Sequence, residues 1–175
     1  MCKGSIHQAD VDSGGSQCVC TALSFLCTTD IPKYPSDVDT LLLQGTELYN
    51  VIGSDRNGMT IHEVPSSICI GNKSYNLTCH DPRSGLVSQI SDDAEALTFS
   101  VKSAMFGSVE EASTMILTIG NARGASPGAS IALKRTANGF IAFDSHSRDD
   151  NGLCSPDGKA VVLKLPTISV KCLST

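Results

Sequence analysis

The spacing of apolar positions divides this chain into a helical first part and a β-rich last part. Residues 1–16 are mostly polar and read as an extended arm. Residues 17–28 hold the run Ala22-Leu23-Ser24-Phe25-Leu26, which is helix-compatible. Ile31-Pro32-Lys33-Tyr34-Pro35 cannot continue that helix, because proline lacks an N–H and disfavours helix in the residue before it. Ser36 then looks like an N-cap, with Asp37 and Asp39 in the first turn, where the helix dipole favours negative charge. Val38, Leu41, Leu42, Leu48, Tyr49 and Ile52 recur at near-helical spacing. That predicts a second, amphipathic helix over 37–52, weakened at Gly45 and stopped at Gly53.

The rhythm then shortens. Residues 60–64 suit a short helix ended by Pro65, and 67–70 and 75–79 are β-type runs parted by Gly71-Asn72. Asp81-Pro82-Arg83-Ser84-Gly85 is a turn. Residues 92–106 fit either state: Leu97, Val101, Met105 and Phe106 suit a helix, whereas Thr98 and Phe99 suit a strand. Residues 108–111 start a helical turn. Strands are expected at 115–119, 129–134, 140–146 and 159–165, with a glycine-rich loop at 120–128 and an Asn138-Gly139 hairpin turn. Helices first and an antiparallel sheet second indicate an α+β fold, as one domain over 1–175.

Composition narrows the function classes. The chain has 175 residues, 41% hydrophobic and 18% charged, enough for a proper core. Its net charge of −5 argues against nucleic acid, whose phosphates demand a basic face. No apolar run approaches the roughly 20 residues of a membrane span, so no membrane partner is expected. Met1-Cys2-Lys3-Gly4-Ser5-Ile6-His7 lacks a basic region followed by an apolar core, so a cytoplasmic or nuclear monomer is expected, not a secreted one. The eight cysteines are irregularly spaced and read as reduced thiols. The close pair Cys18-Val19-Cys20 has no matching second pair, so zinc is a minor alternative and no cofactor is expected.

The chemistry centres on Gly14-Gly15-Ser16-Gln17-Cys18. Cys18 falls at the first turn of a helix, where unpaired N–H groups and the dipole favour a thiolate. The competing reading is a buried cysteine acting as a small hydrophobe. A nucleophilic thiol needs a base, and the strand ending Asp144-Ser145-His146 offers one. Side chains two apart on a strand share a face, so Asp144 can hold the His146 imidazole in one tautomer. The competing reading is a pair of turn residues at a strand end. His7 is near the N-terminus, His62 lacks a carboxylate at that spacing, and the Asp81-Pro82 turn explains His80. An oxyanion hole would use the Cys18 N–H and a side-chain amide, with Gln8 and Gln17 available.

Together, His7-Gln8-Ala9-Asp10, the stretch Gly15-Ser16-Gln17-Cys18-Val19-Cys20-Thr21-Ala22-Leu23 and Phe143-Asp144-Ser145-His146-Ser147-Arg148-Asp149 resemble a known family. It is the deubiquitinase domain at the N-terminus of herpesvirus large tegument proteins, with its non-viral relatives. The non-viral members are closer, sharing the Asp-Ser-His-Ser-Arg wording and a following glycine, here Gly152. Ala9 and Thr21 stand where the family often has glycine and asparagine. The resemblance implies a papain-like cysteine peptidase that cleaves after the C-terminal glycine of ubiquitin, with ubiquitin or polyubiquitin chains as partner. It assigns Cys18 as nucleophile, His146 as base, Asp144 as orienter and Gln8 as oxyanion donor. Asp10, Asp12, Asp149 and Asp150 are candidates to meet the basic ubiquitin tail. The alternatives are an inactive ubiquitin-binding module and a cysteine hydrolase acting on another ubiquitin-like modifier.

Overall fold

Helix α1 (Cys18–Cys27) has almost no solvent face, since every residue from Cys18 to Phe25 is buried. A helix apolar all round needs partners all round. In the computed structural model, which describes residues 1–11, 16–53, 59–80, 113–119 and 128–166, it has them. The features expected at 81–85, 92–106 and 108–111, and the loop at 120–127, lie outside the described residues. Ala22 and Phe25 pack with Val38, Leu41 and Leu42 of helix α2 (Pro35–Ile52) and with Ala132, Ile141, Phe143, Ala160 and Val162 of the main sheet. Val19, Cys20 and Leu23 pack the other way, with Leu48, Tyr49, Met59, Ile68 and Ile70. The Phe25 and Phe143 rings lie 5.3 Å apart and tilted, a favourable aromatic geometry.

The polar groups inside α1 are satisfied locally. Thr21 and Ser24 donate their hydroxyls back to the carbonyls of Cys18 and Cys20, at 3.0 and 3.1 Å. Gly45, expected to weaken α2, sits at the crossing of the two helices. A Cβ there would lie 2.5 Å from Thr21 Cα, so the glycine is what permits the approach.

Helix α2 starts earlier than expected. Tyr34 is the N-cap and Pro35 the first helical residue, so Ser36 lies inside the helix and not at its cap. Proline suits that position because its missing N–H would have had no partner in the first turn. The Asp37 carboxylate accepts the N–H groups of Lys33 and Tyr34, at 2.9 and 3.0 Å, which lowers its pKa. Asp39 instead reaches the arm and accepts the N–H and hydroxyl of Ser5.

The main sheet is antiparallel, in the order β1 (Cys2–Lys3), β7 (Lys159–Pro166), β6 (Gly139–Arg148), β5 (Ala129–Thr136), β4 (Thr114–Ile119). Strands β5 and β6 join through a two-residue turn closed by the Thr136 and Gly139 pair, with Gly139 at φ +134°. Strands β2 (Ser67–Ile70) and β3 (Lys73–Asn76) form a separate hairpin. Its return strand begins at Lys73, two positions before the expected 75, because Gly71 at φ +57° makes a two-residue turn. The short helix expected at 60–64 is a 3-10 turn, Ile61–Glu63.

The N-terminal arm is tied down, not free. Beyond β1, Gly4 donates to the Ala160 carbonyl at 2.9 Å, and Ala160 donates to that of Ile6 at 3.0 Å. A 3-10 turn, Gln8–Asp10, follows, with His7 capping it: His7 Nδ1 accepts from the Ala9 N–H at 3.2 Å. Next to this turn β6 is irregular. Asp144 pairs with Val161 and Arg148 with Lys159, so the four steps from 144 to 148 oppose two on β7. Bulges of this kind re-aim side chains. Gly158 makes room for it, since a Cβ there would lie 2.4 Å from the Arg148 nitrogen.

Candidate active site

Four segments converge on the first turn of α1. Cys18 opens the helix, with Gln17 as its N-cap. The arm brings Gln8, β5 brings Ser130, and the bulge of β6 brings Asp144, Ser145 and His146.

His146 and Asp144 lie side by side. The ring Nδ1 donates to Asp144 Oδ1 at 2.6 Å, and the His146 backbone N–H donates to the same oxygen at 3.0 Å. Arg148 Nε donates to the other carboxylate oxygen at 2.7 Å. Burial alone would raise the Asp144 pKa. The hydrogen bonds from His146 and the charges of His146 and Arg148 outweigh it and hold the carboxyl low. With Nδ1 engaged, Nε2 is the nitrogen left for Cys18.

Burial likewise disfavours a charged imidazole, yet hydrogen bonds to Asp144 and Cys18 raise the His146 pKa to about 9. Burial also disfavours a thiolate at Cys18. Hydrogen bonds from His146 and from the side chain and backbone of Ser130 overcome it and lower the thiol below its usual value. The two shifts favour a thiolate–imidazolium pair. The Gly128 carbonyl lies 3.7 Å from the Cys18 sulfur and closes one side.

Gln8 is buried beside this pair. Its Oε1 accepts the Ser145 hydroxyl at 2.7 Å, and its backbone carbonyl accepts Gln17 Nε2 at 2.8 Å. Gln17 is fully buried, and its Nε2 is engaged by the Gln8 carbonyl and by Thr46 Oγ1. Its Oε1 has no hydrogen-bond partner among the described residues.

The remaining candidates fall elsewhere. Cys20 faces the second core cluster, 3.9 Å from the Met59 sulfur, and burial pushes its thiol up to about 12. Asp10 accepts the His7 N–H and lies 3.6 Å from Lys159 Nζ. Asp149 accepts the N–H groups of Asn151 and Leu153, closing its own loop, and Asp150 pairs with Lys3 at 2.8 Å. Asp12 lies outside the described residues. The seven described cysteines are free thiols, and among the described residues no three His, Cys, Asp or Glu side chains gather to hold a metal. No described helix is long and apolar enough to cross a membrane.

Sequence reasoning missed Ser130, Arg148 and Ser145 as parts of the site. Arg148 carried a signal, since it stands at i+4 from Asp144 along a strand, the same parity as His146. Ser130 carried none, because its approach to Cys18 depends on how β5 crosses α1.

The family model described as "Herpesvirus tegument protein, N-terminal conserved region" matches residues 3–172. No curated protein sequence matches the chain. Among solved structures, the chain is similar to the ubiquitin-specific protease encoded by murine cytomegalovirus tegument protein M48, crystallised with a ubiquitin-based suicide substrate. The TM-score is 0.68 at 14% identity, covering 94% of this chain and 72% of that one. At that identity the likeness is one of fold, an α+β architecture of papain-like type.

Proposed function

Because this chain belongs to the family of the herpesvirus tegument protein N-terminal conserved region, we propose that it is a cysteine-type deubiquitinase. It cleaves the isopeptide bond after the C-terminal glycine of ubiquitin or polyubiquitin. The observation that carries the reading is the hydrogen-bonded line from Cys18 through His146 to Asp144 at the start of a buried helix. A likeness of fold to a viral ubiquitin-specific protease supports the substrate class.

In this mechanism the Cys18 thiol gives its proton to His146 Nε2, and the thiolate attacks the glycyl carbonyl. Asp144 keeps Nδ1 protonated and stabilises the imidazolium. The Cys18 N–H and the Gln8 side-chain amide stabilise the tetrahedral oxyanion. His146 then protonates the leaving lysine amine as the C–N bond breaks, leaving a thioester on Cys18. Finally, His146 takes a proton from water, which attacks the thioester and releases the ubiquitin carboxylate and the Cys18 thiol.

A ubiquitin bearing a C-terminal electrophile is expected to form a covalent adduct with this protein and none with Cys18→Ala. Absence of the adduct, or its persistence in the variant, overturns the assignment. Binding of ubiquitin chains without cleavage would indicate a recognition module, and cleavage confined to other ubiquitin-like modifiers would redirect the substrate class.

A further inference from the structure

We propose that Arg148 is a positioning residue that lets a buried carboxylate serve as the orienter of His146. The inference deepens the function proposed above and rests on it for the reaction, while the geometry stands by itself.

Asp144 is 6% exposed, and a buried carboxylate is costly unless both of its oxygens are bonded. His146 satisfies one of them, since its ring and backbone N–H groups both reach Oδ1. Oδ2 is left to Arg148, whose Nε–H meets it at 2.7 Å. An arginine side chain ordinarily carries its charge out to water. This one is 14% exposed and turns its charge inward, with Nη1 donating to the Cys154 sulfur.

A regular strand would forbid the contact with Asp144. Residues four apart lie roughly 13 Å from each other along it, too far for an aspartate and the Nε of an arginine to meet. The bulge removes that distance, because the four steps from 144 to 148 oppose only two on β7. Gly158 against the Arg148 nitrogen and the bridge from Arg148 to Cys154 hold the shortened segment. The bulge therefore folds a cation back onto the carboxylate that aims His146.

Among the described residues, the charges that weigh most on Asp144 are His146 and Arg148, with Cys18 on α1 reaching it through His146. Lys159, opposite Arg148 on β7, turns its ammonium to Asp10 of the arm at 3.6 Å. Imidazolium and guanidinium thus share one anion. While the carboxylate is present, the guanidinium keeps it ionised and in place. Once an amide replaces the carboxylate, the same cation only repels the imidazolium. This change of sign separates positioning from plain packing.

The test is a double-variant cycle. Arg148→Met keeps much of the length of the side chain and removes the charge. It should lower kcat about 10- to 100-fold and change KM by less than about 2-fold, because Arg148 acts through Asp144 and not on substrate. In the Asp144→Asn background the same substitution should cost less than about 2-fold or raise the rate, since no carboxylate is left to hold. A staple of the 149–158 loop would cost the same in both backgrounds, so equal losses overturn the proposal. Cys154→Ala removes only the other contact of the guanidinium, and a loss as large as that of Arg148→Met would also overturn it. The second readout needs no reaction. In 13C NMR the Asp144 carboxyl should titrate about 1 to 3 pH units higher in Arg148→Met than in the wild type, and an unchanged titration refutes the role. If the wild type cleaves no ubiquitin substrate, the function proposed above fails, and the carboxyl titration still decides the part assigned to Arg148. Arg148→Gln stands in if the methionine variant does not fold.

Discussion

Asparagine at position 144 would take the charge out of the middle of the Arg148, Asp144 and His146 chain while keeping its shape. His146 stands at about 9, against 6.5 for an ordinary imidazole. At about 1.4 kcal/mol per pH unit, that gap is worth about 3 kcal/mol, or on the order of 100-fold in protonation. Those figures are net ones, because burial pulls against them and the Cys18 thiolate shares the support with Asp144. The sign follows from which form reacts. A raised imidazole pKa keeps the proton needed by the leaving amine up to about pH 9, so wild-type hydrolysis should hold to there and fall above it. In Asp144→Asn the basic limb should slide toward 6.5. The acid limb should rise, because a weaker imidazolium supports the thiolate less. The part-buried Arg148 guanidinium, left without its carboxylate, adds repulsion that weakens the imidazolium further. Hydrolysis of a fluorogenic amide of the ubiquitin C-terminus, followed from pH 5 to 10, reads both limbs, and NMR titration of His146 assigns the basic one. A basic limb still at about 9 in the variant, or one near 6.5 in the wild type, would refute the reasoning.

Other positions test the frame around the site. Gly45→Ala would ordinarily stabilise a helix by about 1 kcal/mol. Here its Cβ meets the Thr21 backbone, so urea unfolding should show a loss of about 1–3 kcal/mol, and a gain would disprove the close crossing. Gly158→Ala would push on the backbone of Ser147 and Arg148 and shift the bulge, with turnover falling about 10-fold or more; wild-type turnover would show that the bulge does not need this contact. Cys20→Ala should cost about 1–2 kcal/mol of stability and leave electrophile labelling intact. Loss of labelling in a folded Cys20→Ala protein would mean that the nucleophile is misassigned.

The sequence was readable where a single local rule decided the outcome. Apolar spacing located α1 and α2 because both helices bury side chains along much of their length. The Asn138-Gly139 signal located the hairpin of β5 and β6 but one residue late: Ala137 and Asn138 make the turn, and Gly139, at φ +134°, opens β6. Asp144 and His146 were legible as neighbours because they touch within one strand. What stayed hidden depends on distant partners. Tyr34 and Pro35 open α2, and the attraction of Asp39 for Ser5 is a contact across 34 positions. Gly45 looked like a flaw in a helix until Thr21 lay against it. The bulge in β6 leaves no mark in its own residues, and its signature is a glycine ten positions on.

The bond between Gln8 and Ser145 also has a consequence in time. Synthesis at about 5–20 residues per second leaves roughly 7 to 27 s between the emergence of the two residues. The nucleophile is made with the helices, and its base and orienter follow only with β6. Through that interval α1 has neither the sheet that covers one side nor the imidazole that charges its thiol. A nascent chain of this protein is therefore expected to be chemically silent, however complete its helices. Chains arrested on the ribosome before Asp144 should alkylate at Cys18 no faster than a free cysteine, and chains extended past β7 should show the accelerated rate. Early acceleration would mean that the thiol draws its reactivity from the helix start alone.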